Sequence, residues 1–86
     1  MSVAVVVGVG AEKGLGAALC RRFGQEGLHV FVAGRTPEKL TKVVAAIEAA
    51  GGWATPVPMD TTVEADVVRL FDQAAGGGEI DLAVFN

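Results

Sequence analysis

Three glycines near the start of the chain, spaced Gly10-x-x-x-Gly14-x-Gly16, follow a run of β-branched residues and precede a helical pattern. Such a run is typical of a buried parallel strand, and glycine lets the backbone after it turn tightly and approach a ligand. A helix that begins there directs free N–H groups and the positive end of its dipole at the turn, which favours an anion. The spacing therefore predicts a phosphate-binding turn. The glycines alone leave open a tight turn without any ligand.

A basic residue follows the second predicted strand, where proteins that bind NAD carry an acidic residue for the ribose hydroxyls. The sequence there is Ala33-Gly34-Arg35, with no carboxylate to repel a phosphate. A guanidinium matches phosphate oxygens with two parallel hydrogen bonds, and Lys13 in the glycine turn offers a second positive charge. We therefore predict NADP as the cofactor in preference to NAD, with both cations near the adenosine 2′-phosphate.

Hydrophobic periodicity and turn residues divide the chain into four strands that alternate with three helices. The predicted strands cover residues 3–9, 28–33, 53–59 and 80–85. Connections of this length allow right-handed crossovers between parallel strands. The order β-α-β-α-β-α-β therefore predicts an α/β fold, a Rossmann-type doubly wound parallel sheet with strand order 3-2-1-4. The third strand, which contains prolines, is then at an edge of the sheet.

The helices have recognisable starts and apolar faces. The second is predicted to begin at Pro37 with Thr36 as its N-cap, and the third after a capping box of Thr61 and Glu64, ending at the glycines of residues 76–78. The first is predicted over residues 14–26, with an inward face of Leu15, Ala18, Leu19 and Phe23. The inward face of the second is Leu40, Val43, Val44, Ile47 and Ala50. That of the third is Val67, Leu70, Phe71 and Ala74.

Four chemically distinctive sites fall at the carboxyl ends of the predicted strands. They are the glycine turn, Arg35, Asp60 and Asn86, which are far apart in sequence. Ligands bind at this edge of open α/β sheets. Their convergence favours a ligand site over a turn that serves the fold alone.

Composition narrows the class of protein. The 86 residues suffice for one small domain, and 51% of them are hydrophobic, which suggests strands buried on both faces. The net charge is −3 and the seven lysines and arginines are scattered, so no nucleic-acid or membrane partner is expected. The apolar run at the N-terminus is too short for a signal peptide or a membrane span. We therefore expect a cytoplasmic protein.

Two residues that could do chemistry receive structural interpretations. Cys20 is the single cysteine, so no disulfide forms within the chain, and its place in the first helix favours a small buried hydrophobe. His29 stands at the start of the second predicted strand and is interpreted as a surface residue rather than a base.

On these residues the sequence resembles the short-chain dehydrogenase/reductase family over its whole length. The resemblance rests on Gly10-x-x-x-Gly14-Leu15-Gly16, on Gly34-Arg35, on Asp60 and on Ile80-Asp-Leu-Ala-Val-Phe-Asn86. Two positions depart from the family pattern. Val9 stands where the family usually has threonine, and Glu12 where it more often has a small or basic residue.

The resemblance implies a role for each of the matching positions. The segment from Gly10 to Gly16, Leu15 included, would wrap the diphosphate and the adenosine ribose of the cofactor. Asp60 would accept a hydrogen bond from the adenine amino group, with the Thr61 backbone beside it. Asn86 would match the asparagine of the family's Asn-Ala-Gly motif, next to the cofactor.

The resemblance also implies an activity, hydride transfer between the nicotinamide of NADP(H) and a small carbonyl or alcohol substrate. The family's catalytic serine and Tyr-x-x-x-Lys lie beyond the fourth strand, and this chain has no tyrosine. Residues 1–86 are therefore interpreted as the cofactor-binding N-terminal half of a longer domain, truncated after the fourth strand, with no catalytic residue assigned. A homo-oligomer is compatible with this interpretation.

Two other functions stay open. One is a non-catalytic NADP-binding module. The other is an S-adenosylmethionine-dependent methyltransferase, which is disfavoured because Arg35 stands where such an enzyme needs an acidic residue.

Overall fold

The computed structural model describes residues 2–11 and 13–86, and over these it confirms the alternation of strands and helices. The strands are β1 (Ser2–Val7), β2 (His29–Gly34), β3 (Trp53–Pro58) and β4 (Glu79–Phe85). The helices are α1 (Leu15–Gln25), α2 (Pro37–Ala49) and α3 (Glu64–Gly76). The predicted first strand was two residues too long at its end, because Gly8 takes a φ of +89° and leaves the extended conformation.

The sheet is parallel throughout and has the predicted strand order, β3-β2-β1-β4. Strands β1 and β2 lie at its centre, where every residue from Val3 to Val7 and from Val30 to Gly34 is buried. Each face of the sheet carries its own core. The core under α1 and α2 includes Val6, Val30, Val32, Ala17, Cys20, Leu40, Val43 and Ile47. The core under α3 includes Val3, Val5, Val7, Phe31, Ala33, Met59, Leu70 and Ala74.

Helix α1 buries a different face from the predicted one. Leu15, its first residue, is 66% exposed, and the buried residues are the small ones, Gly16, Ala17 and Cys20. A Cβ added at Gly16 would stand 3.3 Å from the Cα of Val9, so this helix approaches the chain after β1 too closely for large side chains. Of the predicted face, Phe23 packs against this core, whereas Leu15 and Ala18 are exposed. The prediction failed in part because close packing here selects small residues.

The faces of the other two helices agree better with the prediction. The four inward residues of α2 from Leu40 to Ile47 are buried, whereas Ala50 is exposed at the C-cap. Leu70 and Ala74 of α3 are buried, and Val67 and Phe71 pack against the same core.

The starts of α2 and α3 differ from the predicted capping. Thr36 is the N-cap of α2, but its side chain makes no capping hydrogen bond. The capping box of Thr61 and Glu64 is wrong, because Val63 is the N-cap of α3 and Glu64 its first residue. The carboxylate of Asp60 organises this turn instead.

Strand β3 lies at an edge, as predicted, and its prolines face outward. Met59 donates its N–H to the carbonyl of Gly34 in β2, at 2.8 Å. Because backbone groups alternate along a strand, the N–H positions of residues 54, 56 and 58 point away from β2. Pro56 and Pro58 occupy two of these three positions, so the open edge of β3 lacks most of its donors.

Two further predictions can be compared with the structure. Cys20 is fully buried, as predicted, and burial raises the pKa of its thiol to about 12. His29 is not a surface residue: it is half-buried at the start of β2, its Nε2 lies 2.8 Å from Thr55 Oγ1, and its ring stacks on Phe31 at 4.6 Å. In the part of the chain that the structure describes, no helix has the length and apolarity needed to cross a membrane.

Candidate cofactor-binding site

The glycine turn, which is the segment between the end of β1 and the start of α1, lies across the carboxyl end of β2. The backbone N–H groups of Gly8 and Val9 both donate to the carbonyl of Ala33, at 3.0 and 2.9 Å. Val9 is 3% exposed and belongs to the core under α1 and α2, so apolar packing holds this position where the family usually has threonine. The turn is therefore fixed to the sheet before any ligand binds.

The three motif glycines differ in how much room the structure leaves for a side chain. A Cβ at Gly16 would stand 3.1 Å from Asn86 Nδ2 and 3.3 Å from the Cα of Val9, so packing within the protein excludes a side chain there. A Cβ at Gly14 would stand 3.1 Å from a backbone oxygen of the turn. A Cβ at Gly10 would meet no atom within 4 Å, and Gly10 has no positive φ. The fold itself does not require glycine at position 10, and the open space there fits a ligand that approaches the backbone.

The N-terminus of α1 begins directly after the turn. Gly14 is the N-cap, and its carbonyl accepts the N–H of Ala18 at 3.1 Å. The N–H groups of the first turn precede this bond, so they have no acceptor inside the helix and are available to an anion. Lys13 is exposed and forms no ion pair with any residue that the structure describes. Glu12, the acidic departure from the family pattern, lies outside the described residues.

Asp60 and Arg35 follow the ends of β3 and β2. Asp60 Oδ1 accepts two hydrogen bonds from Thr62, at 2.7 Å from the hydroxyl and 2.9 Å from the backbone N–H. These bonds lower the pKa of Asp60, and the positive charge of Arg35 lowers it further. Asp60 Oδ2 accepts no hydrogen bond from the described residues. One carboxylate oxygen therefore holds the turn while the other is available to a donor from outside, and Arg35 is exposed.

Asp66 is a residue of this edge that the sequence reasoning missed. Its Oδ2 accepts the backbone N–H of Asp60 at 3.1 Å, and its Oδ1 pairs with Arg69. An acidic residue in the first turn of a helix was the available signal, because such residues often bind N–H groups at that end. Thr61 is exposed in the turn.

Asn86 closes the site from the side of β4. Its backbone N–H donates to the carbonyl of Val7 at 2.9 Å, and its side-chain Nδ2 lies 3.3 Å from the carbonyl of Gly8. The amide also lies beside Gly16. The side chain therefore braces the glycine turn on the side opposite Ala33.

These positions meet at one edge of the sheet although they come from four segments of the chain. The groups gathered there are backbone amides, a guanidinium, a carboxylate and a carboxamide, which are groups able to bind and orient a polar, phosphate-bearing molecule. A parallel sheet in the order 3-2-1-4, with a glycine turn and a helix N-terminus at its carboxyl edge, defines a Rossmann-type nucleotide-binding fold.

Comparisons with known proteins identify the family. Residues 3–86 match the family described as short chain dehydrogenase. The chain is 45% identical over 83 residues to a 3β-hydroxysteroid dehydrogenase of Eggerthella lenta, covering 94% of this chain and 32% of that protein. The chain therefore belongs to the short-chain dehydrogenase/reductase family of oxidoreductases, and it spans about a third of the length of that relative.

Solved structures agree with this assignment. A short-chain dehydrogenase from Rhodopseudomonas palustris superposes with a TM-score of 0.92 at 33% identity, over 99% of this chain and 39% of that one. A metagenomic short-chain oxidoreductase in complex with NADP superposes with a TM-score of 0.83 at 35% identity, over 95% of this chain and 37% of that one.

Proposed function

We propose that this chain is the NADP(H)-binding part of an oxidoreductase that moves a hydride between nicotinamide and a carbonyl or alcohol substrate. The observation that carries the proposal is the pairing of an open, glycine-lined space at Gly10 with an exposed Arg35 at the end of the neighbouring strand. The first feature favours a dinucleotide, and the second favours a dinucleotide that carries an additional phosphate.

Binding of the diphosphate is supported by the backbone. The free N–H groups at the start of α1 and the space above Gly10 lie on the same turn, so a phosphate can reach these donors without displacing a side chain. Leu15 is 66% exposed at that helix end, so its side chain is available for contact with the ribose.

Preference for NADP is supported by the charges after β2. Residues 33–36 contain one arginine and no carboxylate, so no acidic side chain there would hold a pair of ribose hydroxyls or repel a 2′-phosphate. Lys13 adds a second exposed cation from the turn. The NADP complex of the metagenomic relative agrees with this preference.

The remaining site residues would hold the adenine and support the cofactor. Asp60 Oδ2 is available to accept a hydrogen bond from the adenine amino group, and the Thr61 backbone lies next to it. Asn86 would act mainly on the turn that it braces. NADP(H) supplies the hydride when bound, and the chain's own residues bind and orient it. The steroid dehydrogenase relative supports a secondary alcohol or ketone as the substrate class.

A titration of NADPH and NADH against the protein in its native length tests the proposal. Charge-assisted hydrogen bonds to a phosphate contribute about 1.5–3 kcal/mol, so Arg35→Ala should weaken NADPH binding roughly tenfold to a hundredfold. NADH binding should change little. The matched control is Arg22→Ala, because Arg22 is an exposed arginine of α1 that pairs with Glu26 at 3.1 Å, away from the site.

Several outcomes would contradict the proposal. Equal losses for both cofactors in Arg35→Ala would show that Arg35 does not contact the 2′-phosphate. Tight NADPH binding without reduction of any carbonyl substrate would favour a non-catalytic NADP-binding module. Binding of S-adenosylmethionine in place of either dinucleotide would favour a methyltransferase.

A further inference from the structure

Gly34, the last residue of β2, lies directly beneath the glycine turn. A Cβ placed on Gly34 would stand 2.3 Å from the carbonyl oxygen of Val9 and 3.0 Å from Leu40 Cδ2. The Leu40 contact involves the end of a side chain that can rotate. The Val9 contact involves backbone, so any side chain at position 34 has to move the turn.

The conformation of Gly34 does not itself require glycine. Gly34 lies within a strand and is not among the glycines with positive φ. An alanine there meets no backbone strain of its own, because β-region dihedrals are accessible to every L-residue. The close approach of the turn is therefore what excludes a side chain at this position.

The backbone around Gly34 joins the ends of three strands. The preceding residue, Ala33, accepts both N–H groups of the turn after β1. The carbonyl of Gly34 accepts the N–H of Met59 at 2.8 Å, next to Asp60 after β3. Arg35 follows Gly34 in the chain. The distance between the turn and β2 therefore determines where the turn lies relative to Arg35 and to Asp60.

We propose that Gly34 is a positioning residue for the cofactor, which it holds through the turn without touching the ligand. This inference rests on the proposed function. It predicts that a side chain at position 34 lifts the turn and weakens NADPH and NADH together, because both cofactors share the diphosphate. Loss of Arg35 would instead weaken NADPH alone.

The test compares Gly34→Ala with Gly24→Ala in the native-length protein. Gly24 is the matched control, since a Cβ there would stand 2.9 Å from Ile47 Cγ2 between α1 and α2, away from the cofactor edge. Both substitutions add a methyl group where space is short, against backbone at position 34 and against the end of a side chain at position 24, so Gly34→Ala should lose more thermal stability. Only Gly34→Ala should lose affinity, by at least about tenfold for NADPH and for NADH alike, in titrations well below the unfolding temperature.

Unchanged affinity in Gly34→Ala, or an equal loss in Gly24→Ala, would overturn the positioning role while leaving the proposed function intact. Failure of the unsubstituted protein to bind either dinucleotide would overturn the proposed function itself. Should Gly34→Ala not fold, hydrogen exchange of the unsubstituted protein decides. The amides of Gly8 and Val9 should exchange much more slowly than that of Gly10 without ligand, and equal rates would show that the turn is not held on β2.

Discussion

Strands β2 and β4 are the two neighbours of β1, and they have opposite environments. Both pair with β1 in parallel, and both are mainly apolar. After its first residue β2 is buried throughout, whereas no residue of β4 is fully buried. Leu82 is 41% exposed and Phe85 61% exposed.

The difference follows from what surrounds each strand. Strand β2 has a strand on either side, with α1 and α2 over one face and α3 over the other. Strand β4 has one strand neighbour, and α3 reaches it through stacking of Phe71 on Phe85 at 6.2 Å. Its other face, with Leu82 and Val84, belongs to neither core. An apolar sequence therefore shows that a strand tolerates burial, and its neighbours decide whether burial occurs.

The largest test of this comparison uses the same substitution in both strands. Val32 of β2 and Val84 of β4 both pair with Val6 of β1, which lies between them in the sheet. Val32→Ala should lower the free energy of unfolding by about 2–3 kcal/mol, because it removes buried methyl groups and leaves a cavity. Val84→Ala should cost less than about 1 kcal/mol, because Val84 is only partly buried. Equal losses of unfolding free energy for the two variants in urea denaturation would show that burial does not distinguish the two strands.

A second test concerns the open edge of β4. Unpaired backbone groups beside exposed apolar side chains invite pairing with another chain, so the 86-residue chain on its own should self-associate. Leu82→Lys should move the association to roughly tenfold higher concentration, because a charge on an edge strand disfavours pairing. Val68→Lys is the control, since Val68 is 52% exposed on α3. Sedimentation over a range of concentrations measures both, and a monomer at every concentration would refute the expectation.

The smallest expected effect concerns the start of α3, the helix that covers β4. Asp60 has a lowered pKa, so its hydrogen bonds stabilise the fold above the ordinary aspartate pKa of 3.8 and are lost as the pH falls through the lower folded value. Asp60→Ala should reduce amide protection in α3 more than in α2 near neutral pH. The difference should shrink as the pH is lowered below the ordinary aspartate pKa of 3.8. A difference that is independent of pH would show that the carboxylate charge plays no part.

Much of the fold could be predicted from the sequence because its strands are β-branched runs bounded by glycine. The strand order and the edge position of β3 followed from the connections and the prolines. The buried face of α1 did not, because contact through Gly16 and Ala17 leaves no large apolar residue to mark it. The start of α3 was misplaced because Thr61 and Glu64 match a capping box, whereas the helix begins after Val63 and Asp60 binds Thr62 in the preceding turn.

The site was predictable in location and less so in detail. Arg35, Asp60 and Asn86 could be placed at one edge because parallel strands end together. No sequence pattern distinguishes Gly10, which leaves space open, from Gly16, which fills a contact inside the protein. The contact at Gly34 was hidden for the same reason, since the carbonyl that lies over it belongs to Val9, in the turn after β1.

The prolines at the outer edge of β3 set a limit on how the isolated chain can polymerise. A sheet grows into a fibril only when both of its edges can accept a new strand. Two copies joined through β4 would present their β3 edges outward, where Pro56 and Pro58 supply no N–H groups. Growth would then end at a closed pair of subunits related by a twofold axis. The prolines of β3 are therefore expected to limit edge-to-edge association of the isolated chain to a dimer.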